Sequence, residues 1–128
     1  LKRLCHEHGT AVMLVTHDMG VIAETADRVA VMYAGRIVEE GPVTAVIGRP
    51  AHPYTSGLMA AIPSLRERRQ ALAQIDGSMP RLDAMPDGCA FHPRCPVVME
   101  ECRTRRPEPR RAGSTTAACW RVSEPAHA

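Results

Sequence analysis

The sequence predicts an α/β fold in its first half and a loop-rich, cysteine-bearing extension in its second. Three observations carry this. Ala11-Val12-Met13-Leu14-Val15 is a continuous apolar run of strand length, the mark of a strand buried on both faces of a parallel sheet. Arg28-Val29-Ala30-Val31-Met32-Tyr33, Ala34-Gly35 and Arg36-Ile37-Val38-Glu39-Glu40 together read as a β-hairpin. After Arg49 the character changes, with most of the 11 prolines and four of the 5 cysteines falling beyond it.

Taken in order, residues 1–7 have a helical look and His8-Gly9 supplies a C-terminal stop. Cys5, inside that helix, reads as a small buried apolar residue. The apolar run 11–15 ends abruptly at Thr16-His17-Asp18, where Asp18 caps a helix from Met19 to about Thr25 with Val21 and Ile22 facing one way. The hairpin follows and closes at Gly41-Pro42. Residues 43–47 add a short helical turn before Gly48-Arg49-Pro50 breaks it. Pro53 suits the first turn of a further helix over residues 54–62, with His52 or Thr55 satisfying its free backbone N–H groups. Residues 65–75 have helix-favouring composition. Asp76-Gly77, Pro80, Pro86 and Asp87-Gly88 then make a loop-rich approach to the cysteines.

Composition narrows the function classes. Hydrophobic residues make up 45% of the 128, but aromatic ones only 3%, so aliphatic side chains must fill most of the interior. No apolar run approaches the roughly 20 residues that span a bilayer as a helix. The formal charge of +2 is unevenly spread, with the first 60 residues slightly acidic and the rest basic. Two arginine clusters, Arg66-Glu67-Arg68-Arg69 and the stretch from Arg103 to Arg111, could meet phosphates or anionic headgroups. Interleaved acidic residues and the lack of stacking aromatics favour a solvated surface instead.

Two places could carry chemistry. Cys89, Cys95, Cys102 and Cys119 follow the pattern C-x5-C-P-x5-C-x16-C. Nothing at the start of the chain reads as a secretory signal, so reduced thiols are expected rather than disulfides. The spacing lacks the short knuckles of structural zinc, whereas iron-sulfur clusters accept irregular spacing and recur beside Cys-Pro steps. Spacing alone leaves zinc and a cluster equally open. His92 lies between two of these cysteines, but Pro93 marks a turn there and no coordination is assigned to it. Trp120, next to Cys119, is placed to shield the site from water. The second place is His17, at the carboxyl end of the expected buried strand, where open α/β sheets bind ligands. No glycine-rich phosphate cradle accompanies it.

The string Leu14-Val15-Thr16-His17-Asp18, followed by Ala26-Asp27-Arg28-Val29-Ala30-Val31-Met32-Tyr33-Ala34-Gly35-Arg36-Ile37-Val38-Glu39-Glu40-Gly41, resembles the end of an ABC-transporter ATPase domain, a P-loop NTPase fold. The resemblance implies that His17 is the switch histidine, which contacts the γ-phosphate and helps to hold the attacking water. Arg49-Pro50-Ala51-His52-Pro53-Tyr54-Thr55, Ala61-Ile62-Pro63-Ser64-Leu65 and Gly88-Cys89-Ala90-Phe91-His92-Pro93-Arg94-Cys95-Pro96, with Glu101-Cys102 and Cys119-Trp120, are similar to the C-terminal extension of the ATPases that drive oligopeptide, dipeptide and nickel import. That likeness implies a [4Fe-4S] cluster on Cys89, Cys95, Cys102 and Cys119, and ranks it above zinc.

The implied organisation is the closing part of an ABC ATPase domain over residues 1–48 and the transporter-type extension over 49–128. The family's phosphate- and magnesium-binding motifs precede the switch histidine and do not occur here, so the chain is expected to be a fragment or truncated product that is not active alone. ATP and Mg would be bound through the upstream part. The implied partners are a second ABC ATPase subunit and two transmembrane permease subunits, with peripheral attachment at the cytoplasmic face of the cell membrane and no nucleic acid. The rival reading is a small four-cysteine zinc or iron-sulfur module that binds nucleic acid through its arginines.

Overall fold

The computed structural model describes residues 2–62 and 74–122. Its centre is the hairpin expected from the sequence, β1 (Arg28–Tyr33) and β2 (Arg36–Pro42). The strands pair antiparallel from Arg28↔Pro42 to Tyr33↔Arg36, with one irregularity between Val31 and Met32. The connecting residues Ala34 and Gly35 both have positive φ, 48° and 79°, as the twist of a two-residue hairpin loop requires.

The helices α1 (Lys2–His8), α2 (Met19–Thr25), α3 (Val43–Gly48) and α4 (Pro53–Ala60) lie close to the expected places. Asp18 caps α2 as its residue type predicts, its Oδ1 accepting from the N–H groups of Gly20 at 2.9 Å and Val21 at 3.1 Å. Only Ile22 of the expected apolar pair is buried, while Val21 is 40% exposed, because adjacent helical residues point about 100° apart. Helix α1 buries none of its residues and Cys5 is half-buried, not enclosed in a core.

The expected strand at residues 11–15 does not form. That segment is irregular and open, with Met13 91% and Val15 90% exposed. A doubly buried strand exists only between two neighbours, and no described strand pairs with this one. The described sheet is consequently antiparallel and four-stranded, in the order β1-β2-β4-β3. The fold is a small mixed α/β arrangement, not the parallel sheet expected.

The added strands come from near the far end of the chain. Strands β3 (Arg110–Ala112) and β4 (Thr115–Ala117) form a short second hairpin, and β4 pairs with β2 through Glu39↔Ala117 and Glu40↔Thr116. Ala118 N–H donates to Val38 O at 2.8 Å and extends this join. The approach is close at Gly41, where a Cβ would meet the Thr115 side chain at 2.9 Å. The sheet thus runs across the change of character near Arg49.

All but Trp120 of the few aromatic residues are concentrated in one place. Tyr33 from β1, Tyr54 from α4 and Phe91 pack edge-on or tilted, with centroids 4.7, 5.2 and 5.5 Å apart. Arg94 ties the loops to this cluster by donating to Tyr33 Oη at 3.3 Å, to Ile75 O at 3.2 Å and to Asp76 O at 2.9 Å. Residues 74–91 are loop-rich, as their prolines and glycines predict. The expected helix over 65–75 and the cluster Arg66-Glu67-Arg68-Arg69 lie almost wholly outside the described residues.

Candidate functional site

The cysteine segment is built from successive tight turns. His92 N–H donates to Cys89 O at 3.0 Å, Arg94 N–H to Phe91 O at 3.0 Å and Cys95 N–H to His92 O at 3.3 Å, forming a single 3-10 turn over His92–Arg94. The short helix α5 (Glu100–Thr104) carries Cys102, and Cys119 lies two residues after the end of β4. Cys89 N–H donates to Cys102 O at 2.8 Å, which brings the first and third cysteines side by side. Gly88 makes this possible. Its φ is +68°, and a Cβ there would strike the Cys102–Thr104 backbone.

These turns bring Cys89, Cys95, Cys102 and Cys119 to the lining of one open pocket. His52, Phe91, His92 and Trp120 share its lining. Among the described residues no three His, Cys, Asp or Glu side chains are arranged to hold a single metal ion. Burial pushes the thiols of Cys89, Cys95 and Cys119 above the ordinary thiol range. Backbone N–H groups oppose this, from Phe91 at Cys89, Val97 at Cys95, and Arg121 and Val122 at Cys119, and the Arg121 charge helps at Cys95 and Cys119. At these three positions burial outweighs the backbone donors, so the thiol form is favoured over the bare thiolate.

Trp120 is fixed at the rim. Its Nε1–H donates to Arg105 O at 2.9 Å, and the Arg105 and Arg110 guanidinium groups each lie 4.8 Å from the ring centroid. Two arginines of the second basic cluster are therefore engaged within the chain. His92 Nδ1 lies 2.9 Å from Cys89 O, in the turn its neighbouring proline predicts.

His52 is the lining residue that sequence reasoning assigned only to a helix cap. It does cap α4, its Nδ1 accepting from Tyr54 N–H at 3.0 Å, whereas buried Thr55 Oγ1 has no partner among the described residues. Behind it Glu39 is fully buried, and its carboxylate accepts from Ala51 N–H at 2.8 Å and His52 N–H at 2.9 Å. Burial lowers the His52 pKa to about 4, so its ring is neutral at ordinary pH. The alternation of β2 marked Glu39 only as one of two adjacent acids, and no sequence signal told it from exposed Glu40.

His17 lies on the exposed loop between residue 10 and α2, away from the cysteine pocket. No described side chain is hydrogen-bonded to it.

The family model for the C-terminal region of oligopeptide/dipeptide transporters matches residues 38–102, half of the chain. The chain belongs to that family. The oligopeptide/dipeptide transporter region begins in β2, contains Glu39, His52 and Tyr54, and ends on Cys102. This chain is 46% identical over 107 residues to the oligopeptide transport ATP-binding protein AppD of Bacillus subtilis, covering 84% of this chain and 33% of that protein. It is 49% identical over 122 residues to a probable peptide ABC transporter ATP-binding protein of Sinorhizobium fredii, covering 91% and 35%. The oligopeptide transport ATP-binding protein OppD of Salmonella typhimurium is 40% identical over 124 residues, covering 97% and 37%. The chain spans about a third of the length of these relatives. No helix among the described residues is long and apolar enough to cross a membrane. Nothing in these likenesses supports the rival nucleic-acid module.

Proposed function

We propose that the chain is the C-terminal part of an ATP-binding subunit that powers peptide import, with residues 1–48 closing the ATPase domain and 49–128 forming the transporter-type extension. The names of its relatives support the transport role, and oligopeptides or dipeptides are the favoured cargo. In the whole protein, ATP and Mg are held by segments outside these residues, and His17 contacts the γ-phosphate and positions water. The likeness of Leu14-Val15-Thr16-His17-Asp18 to the segment that carries the switch histidine in ABC ATPases supports that role. A second ATPase subunit and two permeases complete the transporter, and the protein is peripheral at the cytoplasmic face of the membrane.

The observation that carries the finer reading is the convergence of four cysteines on one pocket. We assign Cys89, Cys95, Cys102 and Cys119 to a [4Fe-4S] cluster. The residues fit such a group in kind: the four candidate donors are all sulfur, and backbone N–H groups lie against three of them. The cluster would supply a four-point staple for loops that bury little apolar surface of their own.

Iron, acid-labile sulfide and zinc measured on full-length protein prepared without oxygen test this assignment. Equal iron and sulfide are expected, and zinc without sulfide would overturn the cluster. Loss of the cluster in Cys119→Ser with folding and uptake intact would overturn the staple. In the same full-length protein, His17→Ala should lower ATP hydrolysis by about 100-fold or more while ATP still binds. Unchanged hydrolysis would remove His17 from the mechanism.

A further inference from the structure

Phe91 is the chain's only phenylalanine, and it stands in the turn that carries Cys89 and Cys95. Its backbone is tied to that turn on both sides. The Phe91 N–H is set against the Cys89 thiol, and Phe91 O accepts from Arg94 N–H at 3.0 Å. Its ring packs against side chains from far along the chain. Tyr33, the last residue of β1, meets it edge-on with ring centroids 5.2 Å apart, while Tyr54 and His52 at the start of α4 lie tilted against it at 5.5 and 5.8 Å.

The ring is enclosed by this seat, with Phe91 2% and Tyr33 1% exposed. Every Phe and Tyr of the chain meets here, so the contact carries most of its aromatic burial. Arg94, in the same turn, adds a second tie to the same tyrosine. Its guanidinium donates to Tyr33 Oη at 3.3 Å and lies 5.9 Å from the Tyr33 ring centroid. A ring lodged among other rings cannot be partly withdrawn without leaving a void, so the seat is either filled or open.

We propose that the Phe91 ring is a plug that couples the Cys89–Cys95 turn to the β1–β2 hairpin, so that the two segments tighten and loosen together. The coupling holds whatever group the thiols bind. It is reciprocal, as a coupling free energy must be. A group that fixes the turn therefore stabilises the hairpin, and a displacement at Tyr33 loosens the turn that carries Cys89 and Cys95. Gly88 and Cys102 lie outside this turn, and disturbing their contact leaves the ring seated.

Amide hydrogen exchange on the full-length subunit reads both segments at once. The bonded amides of Arg94 and Cys95 report the turn, and those of β1 and β2 report the hairpin. Phe91→Leu should speed hairpin exchange by about tenfold, and Tyr33→Leu should speed turn exchange by about tenfold. The double variant should fall well short of the product of the two effects, because the shared contact can be lost only once. Tyr33→Phe keeps the ring and gives up only the Oη contact from Arg94, so it should do less than Tyr33→Leu. Asp18→Ala loosens the α2 cap and should leave turn exchange unchanged.

Unchanged turn exchange in Tyr33→Leu, or single effects that multiply in full in the double variant, would overturn the coupling. Equal effects of Tyr33→Phe and Tyr33→Leu would sink the plug, since the Arg94 hydrogen bond would then carry the link. Faster turn exchange in Asp18→Ala would mean general loosening and would sink it too. If one of the leucine variants does not fold, the other decides. None of these results bears on the [4Fe-4S] assignment, which the iron, sulfide and zinc measurements test separately.

Discussion

Residues 11–17 and residues 89–119 carry the two candidate chemistries, His17 and the four cysteines, yet only the second region is folded into a site. The first has a strong strand pattern and no described strand beside it, so its apolar side chains stand in solvent. The second has almost no regular pattern, yet local turns, a glycine with positive φ and a short strand joined to β2 assemble a pocket. Hydrogen-bonded turns close over a few residues at little entropic cost, whereas a buried parallel strand depends wholly on neighbours elsewhere. Pattern strength and structural self-sufficiency are different properties.

The largest expected effect on this contrast comes from Glu39→Ala. It would strand the buried N–H groups of Ala51 and His52 and should cost about 4 kcal/mol of stability. Urea unfolding measures the loss, and hydrogen exchange should place it in β2, α4 and the cysteine segment. A loss centred on α2 instead would break the comparison, because the two regions would then not be independent.

Acidification comes next. The folded His52 has a pKa of about 4 against 6.5 in the unfolded chain, so the unfolded state binds the proton first. Its contribution is complete above 6.5 and is lost as pH falls towards 4, amounting to on the order of 3 kcal/mol. Stability measured through this range should flatten in His52→Asn. An equally steep fall in that variant would assign the acid sensitivity to other groups.

Gly88→Ala should cost about 2–3 kcal/mol, because it combines an unfavourable φ with a backbone collision at Cys102. The loss should appear as faster alkylation of the cysteine thiols while the β1–β2 hairpin keeps its exchange protection. Unchanged alkylation would show that the pocket does not need the Cys89–Cys102 contact. The smallest effect belongs to the open region. Asp18→Ala removes an exposed cap and should cost about 1 kcal/mol, confined to α2. A larger loss would mean that residues 11–25 are bound more tightly than their exposure indicates.

Much of this protein was legible residue by residue. The Ala34-Gly35 turn, the Asp18 cap, the proline start of α4 and the loop-rich approach to Cys89 follow from backbone preferences that act over a few residues. The cysteine spacing pointed to a shared site, and the four side chains do share a pocket. The open state of residues 11–15, the burial of Glu39 and the place of His52 beside the cysteines were not legible. Each depends on which distant segment lies alongside, and side-chain chemistry in sequence does not encode that by itself.

Sequence alone therefore determined most of the local elements and the family, because propensities, turn chemistry and motif spacing are properties of neighbouring residues. Only the tertiary structure decided that β4 returns to β2, that Glu39 is gripped by the loop before α4, and that the Phe91 ring packs against Tyr33 of β1. Those outcomes arise from long-range contacts, in which a buried polar group takes whichever partner the fold brings within hydrogen-bond distance.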